Sequence, residues 1–426
     1  MLTLTYEYQI KPNRQQEVLM LFYLETCRKV YNYALAERKA WINSRKCMIN
    51  ACSIRYEYIM SADAPKPNYA RQCKSLAAAK KSIPELALPH THVLQQALRT
   101  LEASFVAMWE RGHGFPRFKK AGRMRSFLFP QMGVNPVLGN RLKLPKIGSV
   151  KMRLSRPIPD GFELKQVRIV RRASGWYALL TLQSDVSIPS AMPHGHSLGI
   201  DLGLLSFLAT SDSETIARPK FFVDAQRKLK SLQKKVSHKL IGSNNWRKAQ
   251  AKVARFHEHI SNTRKDFHFK TSHHLCNKAG MIFAEDLNLK AMSKGMLCKH
   301  TLDAGFGQFL NILEWVCSKR DVLFLKVDAF ETSQTCPNCQ THTGKKELSQ
   351  RIHECECGYK TDRDVAAAQV VMQRGILWVN NSSAKMPCGI LAVGQTVKKL
   401  AEGKDNSLPA TQESPDFNNS RVARIV

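Results

Sequence analysis

The chain has 426 residues, with 65 Lys or Arg against 34 Asp or Glu, a formal net charge of +31. This length excludes a single small scaffold and predicts two or three packed units, and apolar residues at 43% suffice for true cores. So large a cationic excess goes beyond solubility and asks for a polyanionic partner. No run approaches the roughly 18 apolar residues of a membrane span, and residues 1–10 lack a signal peptide's apolar block, so a cytoplasmic protein with no membrane partner is expected.

Residues 3–10 place Leu4, Tyr6, Tyr8 and Ile10 on one side, the pattern of a half-buried strand. Asn13 can cap a long amphipathic helix carrying Leu19, Phe22, Thr26, Val30 and Tyr33 at three- and four-residue spacing. A second helix is expected over about 92–109, with Leu94, Leu98, Leu101, Phe105 and Met108 on one face and Gly112 and Gly114 closing it. The stretch around Ala64 and Pro67 has no clear period. Residues 13–112 therefore read as a helical unit inserted after one strand. Further on, residues 141–144, 150–154 and 166–171 alternate apolar with basic, and 176–182 follow a Ser174-Gly175 turn, which suggests a small antiparallel barrel or sheet with a basic outer face. With Arg117, Lys119 and Lys120 set among aromatics just before it, this region is expected to contact nucleic acid.

Residues 197–203 open a new unit as a buried strand and turn, and 205–210 form a second strand. A helix follows over about 224–240, apolar at Leu229, Leu232, Val236 and Leu240 and lysine-rich elsewhere, Lys234 and Lys235 included. After a turn at 242–245 a second helix carries Arg247, Lys248, Arg255 and Arg264, and the pair is expected to wall a phosphate backbone. Residues 281–284 and 322–327 read as further strands. Residues 377–426, without periodicity, are expected to be a loosely ordered tail.

Two acids end apolar strands: Asp201 after Leu198-Gly199-Ile200, and Glu285 after Ile282-Phe283-Ala284. Asp364, following Asp362 and Arg363, sits where a helix should start. Carboxylates converging at buried strand ends repel one another unless a cation joins them, and hard oxygen ligands suit Mg²⁺ or Mn²⁺. The glycines flanking Asp201 are expected to let a ligand approach the backbone. Metal ions held by such acids activate a water and stabilise the leaving oxygen of a phosphodiester, which is nuclease chemistry. Cys336-Pro337-Asn338-Cys339, fifteen intervening residues, then Cys355-Glu356-Cys357 make a structural Zn²⁺ site on two turns, with His353 close enough to replace one thiolate. The other eight cysteines read as ordinary reduced thiols. His268, His273 and His274 lack a ligand pattern and are expected on a helix surface.

Taken in order, Gly114-Phe115-Pro116-Arg117-Phe118-Lys119, Gly199-Ile200-Asp201-Leu202-Gly203, Ala284-Glu285-Asp286-Leu287, the segment from Thr332 to Cys339, Cys355-Glu356-Cys357-Gly358-Tyr359 and Asp362-Arg363-Asp364 resemble the TnpB family of insertion-sequence proteins, compact relatives of the type V CRISPR effectors. The resemblance covers about residues 1–375 and implies a multidomain α+β protein. A RuvC-like nuclease domain of RNase H fold would span 191–330 and 358–376, with a zinc-binding insertion at 331–357. A β-barrel wedge domain would be built from 1–12 and 113–190, and a helical recognition domain from 13–112. Asp201, Glu285 and Asp364 take the family's catalytic positions. Family members are guided by an RNA from the transposon end and cut double-stranded DNA beside a short motif that the protein reads. Two departures stand out: Val365-Ala366-Ala367-Ala368 replaces the usual x-Asn-Ala-Ala, and Asp266-Phe267-His268-Phe269-Lys270 displaces the usual His by one place. Competing readings are a non-cleaving nucleic-acid binder and a strand-joining transposase, although the latter's acids run Asp, Asp, Glu where this chain has Asp, Glu, Asp.

Overall fold

The structure, a computed structural model, describes residues 2–46, 63–133, 136–187, 189–347 and 349–383. Strand β1 (Leu2–Lys11) leads into helix α1 (Arg14–Lys46). Asn13 starts that helix as expected: its Oδ1 accepts the Gln16 N–H, and the Gln16 side chain accepts the Asn13 N–H in return. Between α1 and the next long helix lies α2 (Tyr69–Ser82), capped by Asn68. Its buried residues are Gln72 and Leu76, and Gln72 bonds inward to Ala34 O and Arg38. A polar residue in a core position is what hides this helix from a hydrophobic period. Helix α3 (Thr91–Arg111) ends at Gly112, whose φ of +64° is left-handed and costly for any residue with a Cβ.

The remaining strands of this half are β2 (Ser126–Phe129), β3 (Val137–Leu138), β4 (Arg141–Leu144), β5 (Gly148–Arg153), β6 (Glu163–Arg172) and β7 (Gly175–Ser184). With β1 they form an antiparallel half-barrel in the order β2-β6-β7-β1-β5-β4-β3. Alternation turns Trp176, Ala178, Leu180 and Leu182 inward. The sheet and the helices close a single core, running from Ile169 and Leu180 through Phe129 and Tyr23 to Leu35, Leu94 and Phe105.

The second half is built on β8 (Ser197–Leu202), β9 (Ser206–Thr210), β10 (Thr215–Ala217), β11 (Met281–Glu285) and β12 (Leu323–Val327), in the order β10-β9-β8-β11-β12. The first three strands form an antiparallel meander, while β11 lies parallel to both β8 and β12. Helices α4 (Phe221–Ser237) and α5 (Asn244–Lys278) form the crossover into β11, and α6 (Phe306–Lys319) the crossover into β12. Leu198, Ile200, Ile282 and Ala284 pack against Leu275, Phe306, Phe309 and Leu313 on one side of this sheet. On the other, helix α7 (Arg363–Ser383) joins Val371 and Val379 to Phe283 and Val327.

Two boundaries differ from expectation. Helix α4 stops at Ser237, so Leu240 lies off the apolar stripe and stands 82% exposed at the tip of the hairpin. Helix α7 continues to Ser383, because Val379 still has apolar partners there, so residues 377–383 are helical and not a loose tail. Residues 384–426 lie outside the described residues. Before α7, β13 (Ile352–Glu354) and β14 (Lys360–Asp362) form a small hairpin whose second strand runs directly into the helix. Among the described residues, no helix is long and apolar enough to cross a membrane.

Candidate active site and metal centre

Strand register brings the first two acids together. Phe283 pairs with Gly199 and Ala284 with Ile200 in parallel strands, so the next step along sets Glu285 level with Asp201 on the same face. That face is the one α7 covers. A Cβ on Gly199 would lie 2.0 Å from the Ala368 carbonyl oxygen, and one on Gly375 would lie 2.2 Å from the Phe283 ring. These glycines let the helix backbone settle onto the sheet. Gly199 therefore serves contact with a helix, not the approach of a ligand that its place beside Asp201 suggests. The first turn of α7 then delivers Asp364, whose Oδ2 comes 3.9 Å from the position a Cβ on Gly203 would take.

The electrostatics carry the mark of this convergence. Burial pushes the Asp201 carboxyl well above the usual carboxylate range, and the charges of Glu285 and Asp364 push it further. Glu285, only 7% exposed, is also raised by burial, against the Thr332 hydroxyl, which donates to its Oε1 at 2.5 Å, and the positive Arg374. Asp364 is raised by burial and then by Asp362, against Arg351 and Arg363. Asp362 instead caps α7, its Oδ1 accepting the N–H groups of Asp364 at 2.8 Å and Val365 at 3.3 Å. Sequence reasoning does not assign Thr332 or Arg374 to the site. Thr332 belongs to the Thr-Ser-Gln-Thr motif, a signal that could have found it. Arg374 reaches the site by donating to the carbonyls of Asp328 and Phe330 at 2.9 and 2.7 Å, which no linear pattern encodes. Ala366, where the family pattern has Asn, is buried within α7.

Among the described residues, Cys336, Cys339, Cys355 and Cys357 are the group of potential metal ligands whose donor atoms all lie within 4.8 Å of one another. Sγ–Sγ distances are 3.7 Å for Cys336–Cys357 and 3.5 Å for Cys339–Cys355. Four converging thiols on two tight turns suit tetrahedral Zn²⁺ with no open position. Hydrogen bonding with Thr341 pulls the Cys339 thiol down to about 6, toward the thiolate a metal needs. His353 does not join them: it is fully buried, with Nδ1 against the Lys346 ammonium and its ring beside Tyr359. The centre is docked onto α7, since the Gln373 amide donates to Pro337 O and accepts from Gln340, both at 2.7 Å.

The expected nucleic-acid contacts divide. Arg117, Lys120, Lys234, Lys235, Arg247 and Lys248 are exposed. Lys119 is half-buried, with its ammonium over the Tyr31 ring. Arg255 is exposed and donates to Ala173 O, tying the basic hairpin to the turn between β6 and β7. Arg264 turns inward, where it donates to the carbonyls of Leu302 and Asp303. His268 is not a surface residue: α5 buries Ile260, His268, Thr271 and Leu275 along one stripe. Its Nε2 donates to Ala304 O at 3.0 Å, its ring stacks on Phe207, and burial pulls it down to about 4. His273 is exposed, and His274 pairs with Glu214 at 2.8 Å.

Known proteins match this arrangement segment by segment. Residues 181–296 match the OrfB_IS605 family, described as "Probable transposase", and residues 306–371 match the "Cas12f1-like, TNB domain". Across 376 residues the chain is 29% identical to a protein of Streptomyces pristinaespiralis named "Putative RNA-guided DNA endonuclease", covering 87% of this chain and 89% of that one. The chain resembles the TnpB family. A further relative is InsQ of Escherichia coli K12, similarly named, at 28% identity over 388 residues, with 87% and 92% covered. In fold, the chain is similar to the protein in the cryo-EM structure of the Cas12f1-sgRNA-target DNA complex, with a TM-score of 0.50 at 13% identity, covering 84% of this chain and 83% of that one. Residues 1–47 also match a segment described as a helix-turn-helix domain, but residues 2–46 form one strand and one long helix.

Proposed function

We propose that this chain is an RNA-guided DNA endonuclease that hydrolyses phosphodiesters at Asp201, Glu285 and Asp364. The observation carrying this reading is the convergence itself: parallel register aligns two acids, and Gly199 and Gly375 admit the helix that brings the third. An antiparallel meander followed by parallel strands, with an acid-bearing helix folded back on it, fits a RuvC-like domain of RNase H fold. Its interruption by the four-cysteine hairpin fits a zinc insertion at 331–357. The half-barrel and the helices packed on it fit the wedge and recognition roles.

Asp201, Glu285 and Asp364 would hold Mg²⁺ or Mn²⁺, which supplies an activated water and stabilises the leaving oxygen. The three raised carboxyls, Asp201 pushed up by its two neighbours as well as by burial, suit this donor set, because a cation relieves such repulsion. Thr332 orients Glu285 by its hydrogen bond, and Asp362 fixes the helix start from which Asp364 projects. Zn²⁺ at the four cysteines would be structural. The exposed cations Arg117, Lys120, Lys234, Lys235, Arg247 and Lys248 suit guide RNA and target DNA held by shape and charge.

The test supplies Mg²⁺, a DNA duplex with a library of flanking motifs, and RNA from the neighbouring transposon end carrying a matched or a scrambled guide segment. Cutting only with the matched guide, abolished by Asp201→Ala, Glu285→Ala or Asp364→Ala, is the expected outcome. Equal cutting with matched guide, scrambled guide and no RNA would overturn the reading in favour of a general nuclease. Guide-dependent binding without any cutting would favour a non-cleaving binder.

A further inference from the structure

Three large rings within residues 109–118 are left in solvent. Trp109, Phe115 and Phe118 are 53%, 41% and 48% exposed. The first two flank the fully buried Phe105, each with ring centroids 5.5 Å from it. The third is held by a clamp: Asn32 accepts the Lys119 N–H at 2.8 Å and donates to the Lys119 carbonyl at 2.9 Å, with Arg28 donating to the same oxygen at 3.1 Å. Trp109 and Phe115 are thus set outward over a buried ring, and Phe118 beside an anchored backbone.

Their surroundings identify what would cover them. Residues 109–125 contain six cations, Arg111, Arg117, Lys119, Lys120, Arg123 and Arg125, against one acid, Glu110. Lys66 lies over the Trp109 ring at 4.7 Å, and Lys39 over Phe118 at 5.7 Å. A second copy of this chain, itself at +31, would meet like charge here. A duplex would present phosphates, sugars and base edges to the rings but no free base faces, because its bases are already stacked inside. A strand with unpaired bases satisfies both features, offering flat π faces to the rings and phosphates to the cations.

We infer that Trp109, Phe115 and Phe118 form a stacking platform for unpaired bases of the RNA partner. This rests on the RNA-guided reading. It commits to RNA because the loops and ends of a folded RNA present splayed bases that aromatic side chains recognise by stacking. The flanking cations hold the backbone, and the rings take the bases.

The full-length chain tests this with three probes at several salt concentrations: the transposon-end RNA, a fully paired RNA duplex of equal length, and the displaced DNA strand. Trp109→Ala and Phe118→Ala should each weaken binding of the transposon-end RNA about 5- to 100-fold. The salt slope should not change, because no phosphate contact is lost, whereas Lys120→Ala should reduce it by about 0.7 per contact. Duplex binding should be unaffected, Trp109→Phe should largely restore affinity, and ultraviolet crosslinking should join the RNA to a peptide within 109–118. Unchanged affinity in the alanine variants would overturn the platform while leaving guide-dependent cutting intact. Equal loss on the duplex, a defect confined to the DNA strand, or an oligomer that Phe118→Ala dissociates would each overturn it as well. Failure of the unaltered protein to bind the RNA at all would overturn both the platform and the reading beneath it.

Discussion

The two candidate metal sites are assembled in opposite ways. The cysteine site draws all its ligands from residues 336–357, on two tight turns that set the sulfurs together locally. The acid site draws Asp201, Glu285 and Asp364 from three distant segments, and nothing near any one of them specifies the others. Its geometry comes from strand register and from two glycines that allow a helix to lie against a sheet. A ligand set encoded by spacing can be recognised wherever it occurs, whereas one encoded by packing is only as good as the fold that carries it. The two are also linked, because β14 leaves the cysteine hairpin and becomes the start of α7 one residue before Asp364.

That linkage gives the largest expected effect. Structural zinc is worth on the order of 10 kcal/mol to a small site, so its loss unfolds what it holds. Cys339→Ser should lower zinc content from about one per chain, destabilise the hairpin, and reduce cleavage although all three acids remain. Metal analysis together with thermal melting checks this. His353→Ala should keep its zinc, and a variant without zinc would return the histidine to the ligand set.

Next in size is the packing that brings in the third acid. Gly199→Ala places a methyl group against a backbone oxygen that cannot rotate away, and overpacking of this kind costs about 1–3 kcal/mol or more. Melting should shift down by several degrees and cleavage should collapse. Gly203→Ala, with its nearest contact at 3.1 Å to Ser206 O, should cost less. Equal tolerance of both substitutions would separate the acid site from the packing of α7 on the sheet.

A further effect, read only through pH, concerns His268. His268 is pulled from an ordinary value near 6.5 to about 4 in the folded chain, so folding favours its neutral form. Its contribution is present above pH 6.5 and is lost as pH falls toward about 4. A shift of that size corresponds to on the order of 3 kcal/mol at most. Melting temperatures followed from pH 7 to pH 4.5 should fall less steeply in His268→Gln than in the unaltered protein. A parallel pair of curves would mean that His268 titrates normally.

These contrasts also explain what is legible in the sequence. The cysteines, the Asn13 cap, Gly112 and the strand-end acids are local signals, and the structure places them accordingly. Helix α2 is hidden because Gln72 occupies a core position that a hydrophobic period cannot register. Gly199 is legible as a glycine, but its partner Ala368 lies far along the chain, so its purpose is not. Arg264 and His268 look like surface cation and surface imidazole in a basic helix, yet the turn of α5 points them at carbonyls from residues 302–304. Thr332 and Arg374 meet Glu285 only after the chain has folded.

On the proposed reading Asp201, Glu285 and Asp364 would hold metal together, while Asp362 caps the helix beside them. Titration of Mn²⁺ into the full-length chain, followed by electron paramagnetic resonance, tests this without relying on activity. Asp201→Asn, Glu285→Gln and Asp364→Asn should each abolish tight Mn²⁺ binding, while Asp362→Asn should retain it and cost only about 0.5–2 kcal/mol of stability. Retained binding in any of the first three, or loss in Asp362→Asn with Asp364→Asn unaffected, would contradict it.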